Sequence, residues 1–106
     1  MALTINILYR GKGDSAKKFV EEVISSGLIE KIRSEKGCLR YEYYFPAEDK
    51  EACLLIDSWE SQEDLDNHHT CPNMDRIAFL RTKYNLRIFV RKFEELEQDQ
   101  QEYIRK

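Results

Sequence analysis

Residues 38–60, CLRYEYYFPAEDKEACLLIDSWE, contain two runs of period-two alternation separated by a polar segment. In the first run Leu39, Tyr41, Tyr43 and Phe45 oppose Cys38, Arg40, Glu42 and Tyr44; in the second, Leu54 and Ile56 oppose Cys53, Leu55, Asp57 and Trp59. Alternation with this β-branched and aromatic content is the signature of half-buried strands. The intervening Pro46, Ala47, Glu48, Asp49 and Lys50 have the composition of a turn, so the stretch predicts a β-hairpin.

Upstream, apolar residues recur with helical spacing at Ala16, Phe19, Val20, Val23, Ile24, Leu28 and Ile32. Asp14 or Ser15 is the expected cap, Gly37 the stop, and Gly27 the place where the helix bends or meets a close neighbour. Before it, Leu3, Ile5, Ile7 and Tyr9 alternate with Thr4, Asn6, Leu8 and Arg10 in a first strand that ends at the Gly11-Lys12-Gly13 turn. That glycine pair is too short for a phosphate loop and lacks its Gly-Lys-Ser/Thr end.

Downstream, Ser61 with Asp64 forms a weakened capping box that opens a short helix through about His69. Pro72 interrupts it, a second helical pattern runs from Asn73 to about Tyr84, and Leu86 to Phe93 alternates again with Arg87, Phe89, Arg91 and Phe93 on one face. Leu96, Tyr103 and Ile104 give the tail, residues 95–106, a thin apolar stripe for a last helix of the same domain as residues 1–94. The order strand, helix, strand, strand, helices, strand predicts an α+β fold, the ferredoxin-like split βαβ with an antiparallel sheet. Both strand phases carry apolar residues, so the sheet face left uncovered by helices calls for a homodimer that stacks two sheets.

The 106-residue chain is 42% hydrophobic and 35% charged, a composition that suits one globular domain. A net charge of −3 with scattered Lys and Arg argues against nucleic acid as a partner. The tyrosines at 41, 43 and 44 with Phe45 therefore read as packing residues rather than a base-stacking platform. No apolar run approaches the roughly 20 residues that span a bilayer, and Met1-Ala2-Leu3-Thr4 lacks the features of a signal peptide, so a cytoplasmic location without membrane partners is expected. Three cysteines, Cys38, Cys53 and Cys71, are an odd number and read as reduced thiols.

Residues 57–74 hold the most chemical options, including both histidines, His68 and His69. Neighbouring helical positions point about 100° apart, so one faces inward and the other water. His68 and Cys71 are spaced to share a helix face, with Asp64 one turn earlier, but the pattern matches no zinc ribbon or His-Glu-x-x-His site and no metal is expected. Cys71 lacks an evident orienter or oxyanion hole and reads as a small thiol before Pro72 rather than a nucleophile. Asn6 and Trp59 fit a pocket role and an ordinary strand role equally well.

Three motifs together resemble the antibiotic biosynthesis monooxygenase-like domains, including small bacterial quinol monooxygenases: Gly37 to Tyr41, Leu55 to Ser61, and Asp64 to His68 with Thr70-Cys71-Pro72. The resemblance spans about residues 3–93 and implies a dimeric α+β-barrel. It further implies oxygenation of a small hydroquinone or phenol by dioxygen with no cofactor, a deprotonated aromatic substrate itself giving electrons to dioxygen. On it, His68 is the catalytic base or substrate anchor, Asn6 a catalytic hydrogen-bond donor, and Trp59, Asn73 and Asp57 bind substrate. Asn73 stands where relatives commonly carry a second histidine, and Asp57 where they carry Glu. Haem-degrading relatives pair an Asn, matched by Asn6, with a Trp and a later His; those two positions are His68 and Ala78 here, so haem oxygenation fits poorly. The rival readings are an isomerase of a small oxygenated metabolite and a non-catalytic ligand-binding or dimerisation module.

Overall fold

The computed structural model describes residues 1–96. Strand β1 (Leu3–Arg10) leads through the glycine turn into helices α1 (Ser15–Ser25) and α2 (Leu28–Arg33), then strands β2 (Cys38–Tyr44) and β3 (Ala52–Trp59). Helices α3 (Gln62–His69) and α4 (Pro72–Lys83) follow, and strand β4 (Arg87–Glu94) closes the sheet. The four strands lie in the order β2-β3-β1-β4, all neighbours antiparallel. This is the split βαβ arrangement that the alternation predicts, with the hairpin formed by β2 and β3. The C-terminal helix expected in the tail falls on residues outside those described beyond Leu96.

One face of the sheet packs against the helices. Leu3, Ile5 and Tyr9 of β1, Tyr41 of β2 and Cys53, Leu55 and Trp59 of β3 meet Phe19, Val20, Val23, Leu28, Ile32, Leu65, Ile77 and Leu80 there. Ile24, expected inside, is exposed, as is Phe79. The single long helix expected over residues 15–35 is two helices because Gly27 adopts φ 76°, the left-handed region that glycine enters without a Cβ penalty. Asp14 occupies the N-cap of α1 without a side-chain cap, and Ser15 Oγ instead donates back to the Lys12 carbonyl. Ser61 caps α3 as expected, accepting from the Asp64 amide at 3.1 Å.

The expected alternation of β2 breaks at its start. Cys38 pairs with Trp59 and Arg40 with Ser58, so Leu39 is a β-bulge. The extra residue turns Leu39 out to solvent and places Cys38 on the same side as Trp59, against the core. Just before it, Gly37 has φ 81°, and a Cβ there would overlap the Asp64 carboxylate. Only glycine lets the α2–β2 turn close onto α3.

The other face carries Asn6 and Leu8 of β1, Leu54 and Ile56 of β3, Tyr44 of β2, and Phe89 and Phe93 of β4, as their cross-strand registers show. Tyr44, Phe89 and Phe93 are exposed. No helix among the described residues is long and apolar enough to cross a membrane.

Candidate active site

The capped start of α3 sets what faces inward. Leu65 follows Asp64, and His68 lies one turn beyond Asp64, so all three share the buried stripe. His68 is 3% exposed, while His69 on the next position is exposed, as the 100° rule requires. The imidazole lies flat on the Trp59 indole, with ring centroids 4.5 Å apart and planes inclined 24°. Such a stack contributes about 0.5–1.5 kcal/mol beyond burial. Tyr41 meets the His68 ring edge-on, and Tyr43 continues the aromatic wall.

The residue that completes the site is Glu35, which the sequence reading places only at a helix end. It sits in the α2–β2 turn, where Glu35 N bonds Ile32 O at 3.0 Å and Cys38 N returns to Glu35 O at 3.2 Å. His68 Nδ1 is 2.9 Å from Glu35 Oε1, and Asn73 Nδ2 donates to Glu35 Oε2 at 3.0 Å. A carboxylate only accepts, so the proton of the imidazole–carboxylate bond rides on Nδ1. Nε2, which has no partner among the described residues, is then the nitrogen left for chemistry. A carboxylate behind the ring also stabilises the imidazolium that forms when Nε2 takes a proton. Asn73 reaches this position because Pro72 begins α4 at its N1 position, turning the chain sharply after α3.

Beneath Trp59 lies a second carboxylate. Asp57 Oδ2 accepts from Trp59 Nε1 at 2.8 Å, whereas Asp57 Oδ1 is buried with no partner among the described residues. Burial pushes the carboxyl up from 3.8 to about 6, against the lowering effects of the Trp59 hydrogen bond and the His68 charge. Burial likewise raises the Tyr41 and Tyr43 phenols well above their ordinary range, so both remain neutral donors at physiological pH. Cys53 is pushed up to about 12 by the same cause and is an inert core thiol.

The structure thus brings His68, Trp59, Asp57 and Asn73 together, but it does not bring Asn6 to them. Asn6 alternates with the core residues Ile5 and Ile7 and pairs with Ile56 and Arg91, which places it on the opposite face of the sheet. The strand itself separates Asn6 from the imidazole, so a substrate seated against His68 does not meet that amide. Asp64 packs at Gly37 and accepts from the Ser61 hydroxyl, the residue with which it forms the expected capping box. A cleft of about 420 Å³ opens at the β2 bulge, lined by Arg33, Cys38, Leu39, Arg40, Tyr41 and Glu42.

Solved structures share this fold. A Deinococcus radiodurans protein described as a candidate antibiotic biosynthesis monooxygenase is 16% identical, with a TM-score of 0.79 over 96% of this chain and 99% of its own. A Mycobacterium tuberculosis protein is 18% identical, with a TM-score of 0.79 over 94% of this chain and 100% of its own. SnoaB, a cofactor-independent oxygenase from Streptomyces nogalater, is 11% identical, with a TM-score of 0.74 over 92% of this chain and 95% of its own. No protein with a curated description matches the sequence. The family match itself runs over residues 2–78. It takes in β1 through the first half of α4, with Glu35, Asp57, Trp59, His68 and Asn73 inside it, and on that match the chain belongs to the antibiotic biosynthesis monooxygenase family.

Proposed function

We propose that this protein is a cofactor-independent monooxygenase acting with dioxygen on a small hydroquinone or phenol. The observation that carries the reading is the buried His68 imidazole, stacked on Trp59 and paired with the half-buried Glu35, with Nε2 free among the described residues. Nε2 takes the substrate hydroxyl proton, Glu35 stabilises the resulting imidazolium, and Asn73 holds Glu35 in place. Trp59 and Tyr41 supply an apolar wall that keeps water from the phenolate, and Asp57 fixes the Trp59 indole by accepting from its Nε1.

The electrons balance without a cofactor. A phenol with a free para C–H loses its O–H and C–H hydrogens and gains one oxygen to become the quinone, while the second oxygen atom leaves as water. The substrate supplies all four electrons that dioxygen takes up. The likeness to SnoaB, a cofactor-independent oxygenase, supports this reading. Oxygen uptake by metal-stripped protein over a panel of hydroquinones, naphthols and phenols, corrected for autoxidation, tests it. Catalysed uptake coupled to product is the expected result. Turnover under nitrogen would instead identify an isomerase, and ligand-induced stabilisation with no product a binding module.

The reading includes a homodimer. The open sheet face exposes Tyr44, Phe89 and Phe93 around the half-buried Leu8, Leu54 and Ile56, an apolar surface that a second sheet covers. Light scattering on the eluting protein is expected to give twice the 12.7 kDa chain mass; a concentration-independent monomer refutes the dimer.

A further inference from the structure

The α3–α4 corner gathers a second kind of chemistry. A carboxylate oxygen of Glu35, a ring nitrogen of His68 and the sulfur of Cys71 lie within 4.8 Å of one another. They come from three separate segments: the α2–β2 turn, the end of α3 and the residue before α4. We propose that these three side chains form a binding site for a borderline-soft divalent transition metal, zinc being the best fit, with one coordination position left open.

The donor set selects the ion. One thiolate, one imidazole and one carboxylate are ligands that zinc accepts at about 2.0–2.3 Å in a tetrahedron, whereas calcium and magnesium require all-oxygen sites. Donors on such a tetrahedron stand about 3–4 Å apart by those bond lengths. The donors, all within 4.8 Å of one another, stand close to that spacing. The supports for a metal site are already in place. Asn73 holds the far oxygen of Glu35, and Trp59 fixes the plane of the His68 ring, as outer-shell partners do for metal ligands. Cys71 is the N-cap of the twelve-residue helix α4, where the helix dipole favours negative charge, and its partial exposure gives the ion a route in. The sequence pattern hides the site because Glu35 lies 33 positions before His68.

An ion at His68 replaces the proton between the ring and Glu35, so binding releases protons and strengthens with rising pH. The site is tested without substrate, so the result is independent of the oxygenase reading.

Cobalt(II) is titrated into chelator-stripped, reduced, full-length protein, followed by visible and near-ultraviolet absorption and then by back-titration with zinc. The expected result is saturation at one equivalent, with tetrahedral d–d bands and a thiolate-to-cobalt charge-transfer band that zinc bleaches. Cys71→Ser, at a half-exposed position, is expected to retain the native circular dichroism and lose the charge-transfer band. Cys38→Ser is expected to keep it. Asn73→Ala is expected to weaken binding by about tenfold or more. No charge-transfer band in the native protein, or a band that survives Cys71→Ser, overturns the proposal.

Discussion

Replacing His68 with Gln is expected to lower kcat/KM for an oxygenated substrate by about 100- to 10,000-fold, or about 3–5 kcal/mol of transition-state stabilisation. The imidazole is the only group at the site combining a proton-accepting nitrogen free of partners with a carboxylate poised to stabilise the charge it gains. Gln preserves much of the volume beneath Trp59 and can still donate to Glu35, so the loss reports chemistry rather than collapse. Glu35→Gln keeps a partner for the ring but withdraws the negative charge behind it, and a smaller fall in kcat with little change in KM is expected. Steady-state oxygen uptake, with thermal melts to verify folding, reads both. Unchanged turnover in His68→Gln would remove the imidazole from the mechanism.

Asp57 is expected to make the protein less stable as pH rises, by about 2 kcal/mol between pH 4 and pH 7. In the unfolded chain this carboxyl titrates at 3.8, and in the folded protein burial holds it at about 6. Below 3.8 both states are protonated and no cost arises. Between the two values the unfolded chain releases its proton while the folded protein keeps it, so stability falls with rising pH. Above about 6 the folded protein also ionises and the full cost is present.

Asp57→Asn removes this titration while an amide oxygen remains to accept from Trp59 Nε1. Its NH₂ takes the place of the unpartnered Oδ1 and carries its own pH-independent cost of about 1–3 kcal/mol. The pH dependence of the difference between the two proteins therefore isolates the carboxylate. Urea unfolding of both from pH 4 to pH 7 is expected to show that difference shifting toward the variant by about 2 kcal/mol. A difference that stays constant with pH would place the Asp57 pKa at its ordinary value.

Much of the fold is legible in the alternation and capping. The split βαβ order, the β2–β3 hairpin, the Ser61 cap, a break or close approach at Gly27 and the inward turn of one of the two adjacent histidines all follow from local pattern. The bulge at Leu39 is not legible, because one inserted residue leaves no mark on an alternating run whose two phases are both apolar or aromatic.

The site is legible on one side only. His68, Trp59 and Asp57 lie within twelve residues of sequence, so their faces can be worked out by counting. Glu35 depends on how the α2–β2 turn closes against α3, a long-range contact that no spacing encodes. The same limit explains Asn6. A polar residue within an apolar strand attracts a functional reading, but only the assembled sheet shows that its phase belongs to the face away from the helices. Asn73 has its amide nitrogen committed to Glu35, a partner that only the fold supplies.

The most direct test of substrate-driven oxygenation is turnover in isotopically labelled dioxygen, using metal-stripped protein and a substrate that gives catalysed uptake. One labelled oxygen atom is expected in each product molecule, with one dioxygen consumed per substrate and no added reductant. Unlabelled product, or turnover that persists under nitrogen, would contradict it.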